Sequence, residues 1–185
     1  QYQVVGIRSK THLTRQVLEA NPQLRLIVCF CIGTNQIDLE AARELGIIVF
    51  NAPYSSTRSV AELTLGEIII LSRKVNVKNL EMHRGYWNKE STGCHEVRNK
   101  TLGIIGYGNV GTQVSILAES LGMKVYFYDI VPKVALGNSI CCHSLEELIQ
   151  KSQFITLHVP QTSETHHLIG KKEFAIMNSG TYLLN

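Results

Sequence analysis

Three glycines are the residues of this sequence whose spacing points most directly to chemistry. Gly106, Gly108 and Gly111 form a G-x-G-x-x-G pattern directly after the apolar run 102–105. The first glycine permits a tight turn, the second lets the backbone approach a diphosphate, and the third lets a following helix pack closely against the strand. Free N–H groups in the first turn of that helix attract negative charge. The pattern therefore predicts a site for the diphosphate of a dinucleotide.

An acidic residue stands where such a site needs one. Asp129 ends a second apolar strand, 124–128, and follows Gly111 by 18 residues. A carboxylate there accepts hydrogen bonds from ribose hydroxyls and repels a 2′-phosphate, so the sequence predicts NAD rather than NADP. Asn109 and Val110 lie in the same turn and are expected to contribute backbone N–H groups. A glycine-rich turn without a ligand is the alternative, and the strand–turn–helix–strand–acid order disfavours it.

Predicted strands and helices alternate along the chain around these residues. Apolar runs predict strands at 3–7, 24–30, 47–50, 102–105, 124–128, 154–157 and 181–184. Helical spacing predicts helices at 11–20, 38–45, from residue 56 or 57 to 83 with a break, after 111, at 144–149 and at 171–177. This alternation predicts an α/β fold of Rossmann-like, doubly wound parallel sheets. We place a domain boundary near residue 98, which gives domains at 1–98 and 99–185.

Composition restricts the function classes. The 185 residues are 44% hydrophobic and 18% charged, with a net charge of +3. This charge is too small to indicate nucleic-acid binding, and no apolar run is long enough to cross a membrane. The five cysteines have no framework or zinc spacing, and we interpret them as reduced thiols in a cytoplasmic protein. The adjacent pair His166-His167 would not converge on one point in regular structure, so no metal site is predicted.

The segment from Leu102 to Gly111, followed by Val125 and Tyr128-Asp129, resembles the NAD-binding signature of the D-isomer-specific 2-hydroxyacid dehydrogenases. Residues 6–14, 29–38 and 51–63 are similar to members of this family that act on a small phosphorylated hydroxy acid. The resemblance covers essentially the whole chain. It implies part of a substrate domain, part of an NAD-binding domain, and hydride transfer between NAD and the hydroxy acid.

The resemblance also implies roles for individual residues. Arg8 and Ser9 are expected near the substrate, and Gly33 and Thr34 are expected to present backbone N–H groups to its carboxylate. For Arg8 the alternative is a solvated surface arginine. The remaining implied cofactor contacts follow the strand 154–157, on the adenosine side of NAD: His158, Val159 and Pro160. A plain strand-end turn is the alternative for that stretch.

The resemblance implies that the catalytic arginine, glutamate and histidine lie beyond Asn185, so we expect these 185 residues not to run the reaction alone. It also implies a homodimer or homotetramer assembled through residues 60–98, which include Trp87. Two other functions stay open. One is a dehydrogenase for a different D-2-hydroxy acid, and the other is a non-catalytic NAD-sensing module.

Overall fold

The computed structural model describes residues 2–185, which divide into two compact units. The first unit comprises the described residues up to Thr57 with Pro160–His166, and the second comprises Arg58–Val159 with His167–Asn185. The sequence placed the boundary near residue 98, after the long helix. In the structure that helix contributes Ala61, Leu65 and Ile68 to the core of the second unit, so the compact units divide before it. The functional domains 1–98 and 99–185 stay a prediction.

The first unit is built on a three-stranded parallel sheet in the order β1-β2-β3. Its elements in chain order are β1 (Val4–Ile7), α1 (Arg15–Glu19), β2 (Leu26–Cys29), α2 (Leu39–Glu44) and β3 (Ile48–Asn51). Asp38 caps α2 by accepting a hydrogen bond from the Ala41 backbone N–H at 2.8 Å. Its core consists of apolar side chains from both helices and from β1 and β2, together with side chains from the connecting segments.

The predicted helix 11–20 is shorter than the sequence indicated. Leu13 forms an isolated parallel bridge with Ile37, and Thr14 is extended, so α1 begins at Arg15. Leu13 is buried, and its backbone N–H donates to Gln36 O at 2.9 Å. Long-range pairing therefore takes the first residues of the expected helix, and local spacing does not reveal it.

The second unit contains a five-stranded parallel sheet in the order β6-β5-β4-β7-β8. Its elements in chain order are α3 (Thr57–Ser72), α4 (Val75–His83), β4 (Thr101–Ile105), α5 (Asn109–Ser120), β5 (Lys124–Tyr128), β6 (Ile140–Cys141), α6 (Leu145–Lys151), β7 (Phe154–Leu157), α7 (Lys171–Ile176) and β8 (Tyr182–Leu184). The break expected in the long helix lies at Lys74, whose φ is 53°. The two-residue strand β6 was not predicted, because so short a strand has no periodicity.

Alternation of side chains across this sheet creates two apolar layers. Ile104 and Phe127 face a layer that α3 and α5 complete, whereas Ile105 and Ile155 face a layer that α6 completes. Strands covered on both faces are typical of parallel sheets and explain the continuous apolar runs in the sequence. The doubly wound α/β prediction is confirmed.

Candidate functional site

The strand order of the second unit fixes where a ligand can bind. The chain runs from β4 through α5 to β5 on one side, and later returns to place β7 on the other side of β4. In open parallel sheets, ligands bind beyond the carboxyl ends of the strands where the order reverses in this way. The glycine-rich turn follows β4, and His158 follows β7, so both lie at that point.

Two glycines of the turn are required by the packing. Gly106 has a φ of 91°, and a Cβ there would lie 2.7 Å from the carbonyl oxygen of His158. A Cβ on Gly111 would collide with the carbonyl oxygen of Gly106 and would lie 3.1 Å from Ile104 Cγ2. The positive φ of Gly106 makes the turn tight and leaves no room for a side chain beside the segment after β7. The missing Cβ of Gly111 lets α5 pack close to β4.

The middle glycine faces open space. A Cβ built on Gly108 meets nothing within 4 Å, and both Gly108 and Asn109 are exposed. No side chain caps α5, and among residues 2–185 no group accepts a hydrogen bond from the backbone N–H groups of Gly108, Asn109 or Val110. A backbone surface with unpaired donors at a helix N-terminus fits the diphosphate of NAD.

Asp129 is positioned by the turn itself. Its Oδ2 accepts the backbone N–H of Tyr107 at 2.8 Å, and its Oδ1 accepts the backbone N–H of Val131 at 2.9 Å. The carboxylate is therefore fixed at the end of β5 beside the glycine-rich turn. Each carboxylate oxygen can accept a second hydrogen bond, so the group keeps acceptors for ribose hydroxyls.

Tyr107 holds the glycine-rich turn in place through its buried side chain, a role that the sequence did not predict. Its ring is buried and stacks on Phe127, with the ring centroids 3.7 Å apart. Its hydroxyl lies 3.0 Å from Ser115 Oγ on α5 and 2.9 Å from Ser139 Oγ. The variable position inside the G-x-G-x-x-G pattern thus holds the turn, α5 and the segment before β6 together, and pattern spacing gives no signal for it.

His158 is neutral at physiological pH. Burial lowers the pKa of His158 to about 4, because an imidazolium ion there would lose its hydration. Its Nε2 shares a hydrogen bond with Thr156 Oγ1 at 3.1 Å. The side chain therefore presents no positive charge, and its backbone carbonyl is the atom that approaches Gly106.

The other two residues predicted to contact the cofactor after β7, Val159 and Pro160, belong to different compact units. Val159 Cγ1 would lie 2.8 Å from a Cβ on Gly106, so Val159 borders the turn. Pro160 begins the stretch that is counted with the first unit. The contacts of His158, Val159 and Pro160 with NAD stay predictions.

The predicted substrate residues lie in the first unit, after the first two strands. Arg8 and Ser9 are exposed and directly follow β1. Gly33 and Thr34 lie in the loop after β2, and no acceptor among residues 2–185 pairs with their backbone N–H groups. Because β1 and β2 are parallel neighbours, both pairs occupy the same end of this sheet. Their contact with a substrate stays a prediction.

The fold and the turn define a dinucleotide-binding α/β protein, and comparison with known families narrows the class. The family model described as "D-isomer specific 2-hydroxyacid dehydrogenase, NAD binding domain" matches residues 65–185. The chain belongs to this family, and residues 65–185 match the family's NAD-binding domain. NAD is therefore the cofactor of the site, as the sequence predicted.

Individual relatives are similar over nearly the whole chain. D-3-phosphoglycerate dehydrogenase of Haemophilus influenzae is 56% identical over 98% of this chain and 44% of its own length. The enzyme of the same name from Escherichia coli K12 is 54% identical over 98% of this chain and 44% of its own. This chain therefore spans less than half the length of these curated relatives.

Solved structures share the fold. A D-lactate dehydrogenase of Aquifex aeolicus complexed with NAD and lactic acid has a TM-score of 0.91 and 33% identity, over 98% of this chain and 55% of that one. An NAD-dependent formate dehydrogenase of Staphylococcus aureus in complex with NAD has a TM-score of 0.88 and 30% identity, over 98% and 56%. Both solved structures contain NAD.

Residues 2–185 contain neither a metal-binding cluster nor a membrane-spanning helix. No cluster of three or more histidine, cysteine or acidic side chains is arranged to hold a metal ion within that range. None of the helices formed by the same residues is both long and apolar enough to pass through a membrane.

Proposed function

We propose that the protein to which these residues belong is a D-3-phosphoglycerate dehydrogenase. It would oxidise 3-phospho-D-glycerate to 3-phosphohydroxypyruvate with NAD, the first step of L-serine biosynthesis. The observation that carries the proposal is the 54–56% identity, over 98% of the chain, to relatives of that name. Because the chain spans only part of those relatives, the activity is proposed for the whole protein.

NAD, when bound, accepts the hydride that leaves carbon 2 of the hydroxy acid. In this proposal the unpaired N–H groups of Gly108, Asn109 and Val110 bind the diphosphate, and Gly108 lets the backbone come close to it. Asp129 accepts hydrogen bonds from the adenosine ribose and disfavours a 2′-phosphate. The stretch from His158 to Pro160 borders the adenosine, and the neutral imidazole adds no competing charge.

The substrate is held by residues of the first unit in this proposal. Arg8 offers a planar guanidinium that suits a phosphate or a carboxylate, and Ser9 adds a hydroxyl donor. Gly33 and Thr34 offer unpaired backbone N–H groups to the substrate carboxylate. The resemblance assigns proton transfer to residues outside this chain, so these four residues bind and orient.

We also propose that the protein acts as a cytoplasmic homodimer or homotetramer assembled through residues 60–98. The supporting observation is the apolar surface there: Leu63, Val77, Met82, Tyr86 and Trp87 are more than half exposed. Helix α4 buries none of its residues within the described chain. Large exposed apolar groups in one region are typical of protein–protein interfaces.

The test is substrate preference in the whole protein. NADH formation is measured with 3-phospho-D-glycerate, D-glycerate and D-lactate, and 3-phosphohydroxypyruvate reduction is measured in the reverse direction. We expect kcat/KM for 3-phospho-D-glycerate to exceed the values for D-glycerate and D-lactate by at least about 100-fold. The two analogues lack the phosphate, so the hydrogen-bond donors that bind it would be left unpaired. Comparable values with D-lactate would favour a different hydroxy acid, and NAD binding without any turnover would favour a sensing module.

A matched pair of variants tests the substrate residues. Arg8 follows β1, whereas Arg25 precedes β2, so these two exposed arginines lie at opposite ends of the same sheet. Arg8→Gln should raise KM for 3-phospho-D-glycerate about tenfold or more through the loss of a charged hydrogen bond. Arg25→Gln should leave KM unchanged. Equal effects of the two substitutions would assign Arg8 to the solvated surface.

A further inference from the structure

Two thiols meet at the carboxyl end of β2. Cys29 is the last residue of the strand and is fully buried, whereas Cys31 is partly exposed. Their Sγ atoms are 3.2 Å apart, and both cysteines are free. Cys31 lies two residues beyond the end of the strand, so the loop that follows β2 turns its sulfur back towards Cys29.

A buried amide holds the two sulfurs in place. Gln36 is 4% exposed, and its Nε2 donates to Cys29 Sγ at 3.0 Å and to Cys31 Sγ at 3.2 Å. The Cys29 thiol and Gln36 Nε2 each also lie 3.4 Å from the carbonyl oxygen of Gly33. A polar side chain at this depth needs partners, and here most of its partners are the two thiols. The cluster therefore has a defined geometry that neither cysteine would have alone.

We propose that Cys29 and Cys31 form a reversible dithiol–disulfide site that is oxidised by peroxides. In the first step, Cys31 sulfur attacks one peroxide oxygen, the O–O bond breaks, and Cys31 becomes a sulfenic acid while one water leaves. In the second step, Cys29 sulfur attacks the Cys31 sulfur, the S–O bond breaks, and a second water leaves. Two thiols and one hydrogen peroxide thus give one disulfide and two waters, and an external thiol reverses the oxidation.

The two positions suit different roles. Cys31 is the more exposed and meets the oxidant first. Burial, followed by the hydrogen bond with Cys31, raises the pKa of Cys29. Cys29 therefore keeps its proton until it attacks, and the proton passes to the departing hydroxide. Bond formation needs the sulfurs to approach by about 1 Å more, to a bonded distance of about 2.05 Å.

The experiment is a peptide map of the whole protein treated with hydrogen peroxide and then alkylated. Trypsin cleavage after Arg25 and Arg43 releases peptide 26–43, in which Cys29 and Cys31 are the only cysteines. We expect this peptide to become lighter by two hydrogen atoms and to resist alkylation, and dithiothreitol should restore both thiols. Two free thiols at doses that oxidise other groups, or a sulfinic acid on Cys31 beside a free Cys29, would overturn the proposal.

The chain provides an internal control. Trypsin cleavage after Lys133 and Lys151 releases peptide 134–151, which holds the adjacent pair Cys141 and Cys142. There the Cys141 thiol donates to the Cys142 carbonyl oxygen at 3.6 Å, and burial raises the pKa of Cys142 to about 11. We expect no internal disulfide in this peptide at the same dose. Equal oxidation of both peptides would mean that proximity in sequence suffices, which contradicts a built site.

Variants separate the two steps. In Cys29→Ser, the sulfenic acid on Cys31 has no partner and should react with a cyclic 1,3-diketone, which labels sulfenic acids. In Cys31→Ser, the buried Cys29 thiol should stay unmodified. A sulfenic acid on Cys29 in that variant, or none on Cys31 in the first, would contradict the assigned order.

Oxidation should also reach the neighbouring loop, and this consequence rests on the proposed function. A disulfide removes the Cys29 S–H group that donates to the carbonyl oxygen of Gly33. The loss of that hydrogen bond should loosen the Gly33–Thr34 loop and raise KM for 3-phospho-D-glycerate about twofold to tenfold, reversibly and only when both cysteines are present. An unchanged KM at full oxidation would overturn this coupling. The peptide map tests the disulfide separately, whether or not the substrate assignment holds.

Discussion

At the scale of single residues, the site depends on groups that each do two things. Asp129 is proposed to accept hydrogen bonds from ribose hydroxyls, and it also accepts one from the backbone N–H of Tyr107. His158 directs its carbonyl oxygen towards the space beside Gly106, while its side chain is kept neutral by burial. A substitution of Asp129 therefore removes a contact that holds the turn, whereas a substitution of His158 changes the side chain and keeps the carbonyl oxygen beside Gly106.

The neutral state of His158 predicts a pH dependence of stability. Its folded pKa of about 4 lies below the ordinary value of about 6.5, so the unfolded chain binds a proton more readily. The stability contributed by the neutral side chain is present above pH 6.5 and is lost as the pH falls towards 4. Between pH 7.5 and pH 5 the wild type should lose about 2 kcal/mol that His158→Gln does not lose.

Urea unfolding of the whole protein and of the His158→Gln variant at the two pH values measures this difference. Other groups that titrate in the same range are common to both proteins, so they cancel in the comparison. Parallel losses of stability in the two proteins would show that the His158 imidazole is protonated in the folded state at pH 5.

Some single-residue features could be predicted from the sequence, and others could not. The spacing from Gly111 to Asp129 predicts that this acid ends β5 beside the turn, because a βαβ unit has a regular length, and its role in binding ribose stays a prediction. The hydrogen bond between Asp129 and Tyr107, the stacking of Tyr107 on Phe127 and the contact of Gln36 with two thiols were not predicted. Each depends on side chains that converge only when separate elements pack, and periodicity carries no information about such pairs.

Among the secondary-structure elements, the turn between β4 and α5 uses one glycine for packing and another for the proposed binding surface. Gly111 has no room for a Cβ, whereas Gly108 has open space and an extended conformation with a φ of −85°. Gly66 lies inside α3, and a Cβ added there also meets nothing within 4 Å. Alanine substitution therefore adds one methyl group to a packed contact at Gly111, to the proposed binding surface at Gly108, and to open space away from that surface at Gly66.

We expect three different outcomes from alanine substitution. Gly111→Ala should destabilise the protein by about 1–3 kcal/mol, because a well-packed contact is overfilled. Gly108→Ala should leave the thermal midpoint nearly unchanged but weaken NAD binding at least about tenfold, since the methyl group occupies space that the diphosphate needs. Gly66→Ala should stabilise the helix by up to about 1 kcal/mol and leave NAD binding unchanged.

Thermal unfolding and NAD titration of the three variants in the whole protein test this series. NAD binding by Gly108→Ala as tight as that of the wild type would contradict the placement of the diphosphate. A loss of stability in Gly108→Ala as large as that in Gly111→Ala would show that the middle glycine also serves packing.

Element boundaries were predictable where local patterns decide them. Lys124–Tyr128 and Phe154–Leu157 match the predicted strands, and Ser144 caps α6 with a 3.1 Å hydrogen bond from the Glu147 backbone N–H. The start of α1 was wrong because the bridge between Leu13 and Ile37 joins distant segments. Local chemistry thus determined the strands and helix caps, and long-range pairing decided the exception.

At the scale of the whole molecule, the chain divides into two compact units whose predicted roles differ. The second unit carries the NAD-binding domain of the D-isomer-specific 2-hydroxyacid dehydrogenase family. The first unit carries the residues proposed to hold the hydroxy acid. The parallel α/β class followed from the alternation of apolar runs, whereas the division before α3 did not, because α3 packs on the second unit.

A calorimetric titration of the whole protein with NAD and with NADP shows whether the protein binds NAD and whether Asp129 determines the preference for NAD over NADP. We expect the wild type to bind one NAD per chain and to bind NADP much more weakly. Asp129→Ala should lose about tenfold in NAD affinity and gain relative tolerance for NADP, through the loss of a charged acceptor. Asp129→Asn keeps an oxygen for the Tyr107 N–H and shows how much of the effect belongs to the turn. Failure of the folded wild type to bind either dinucleotide would show that the glycine-rich turn and Asp129 do not form an NAD site.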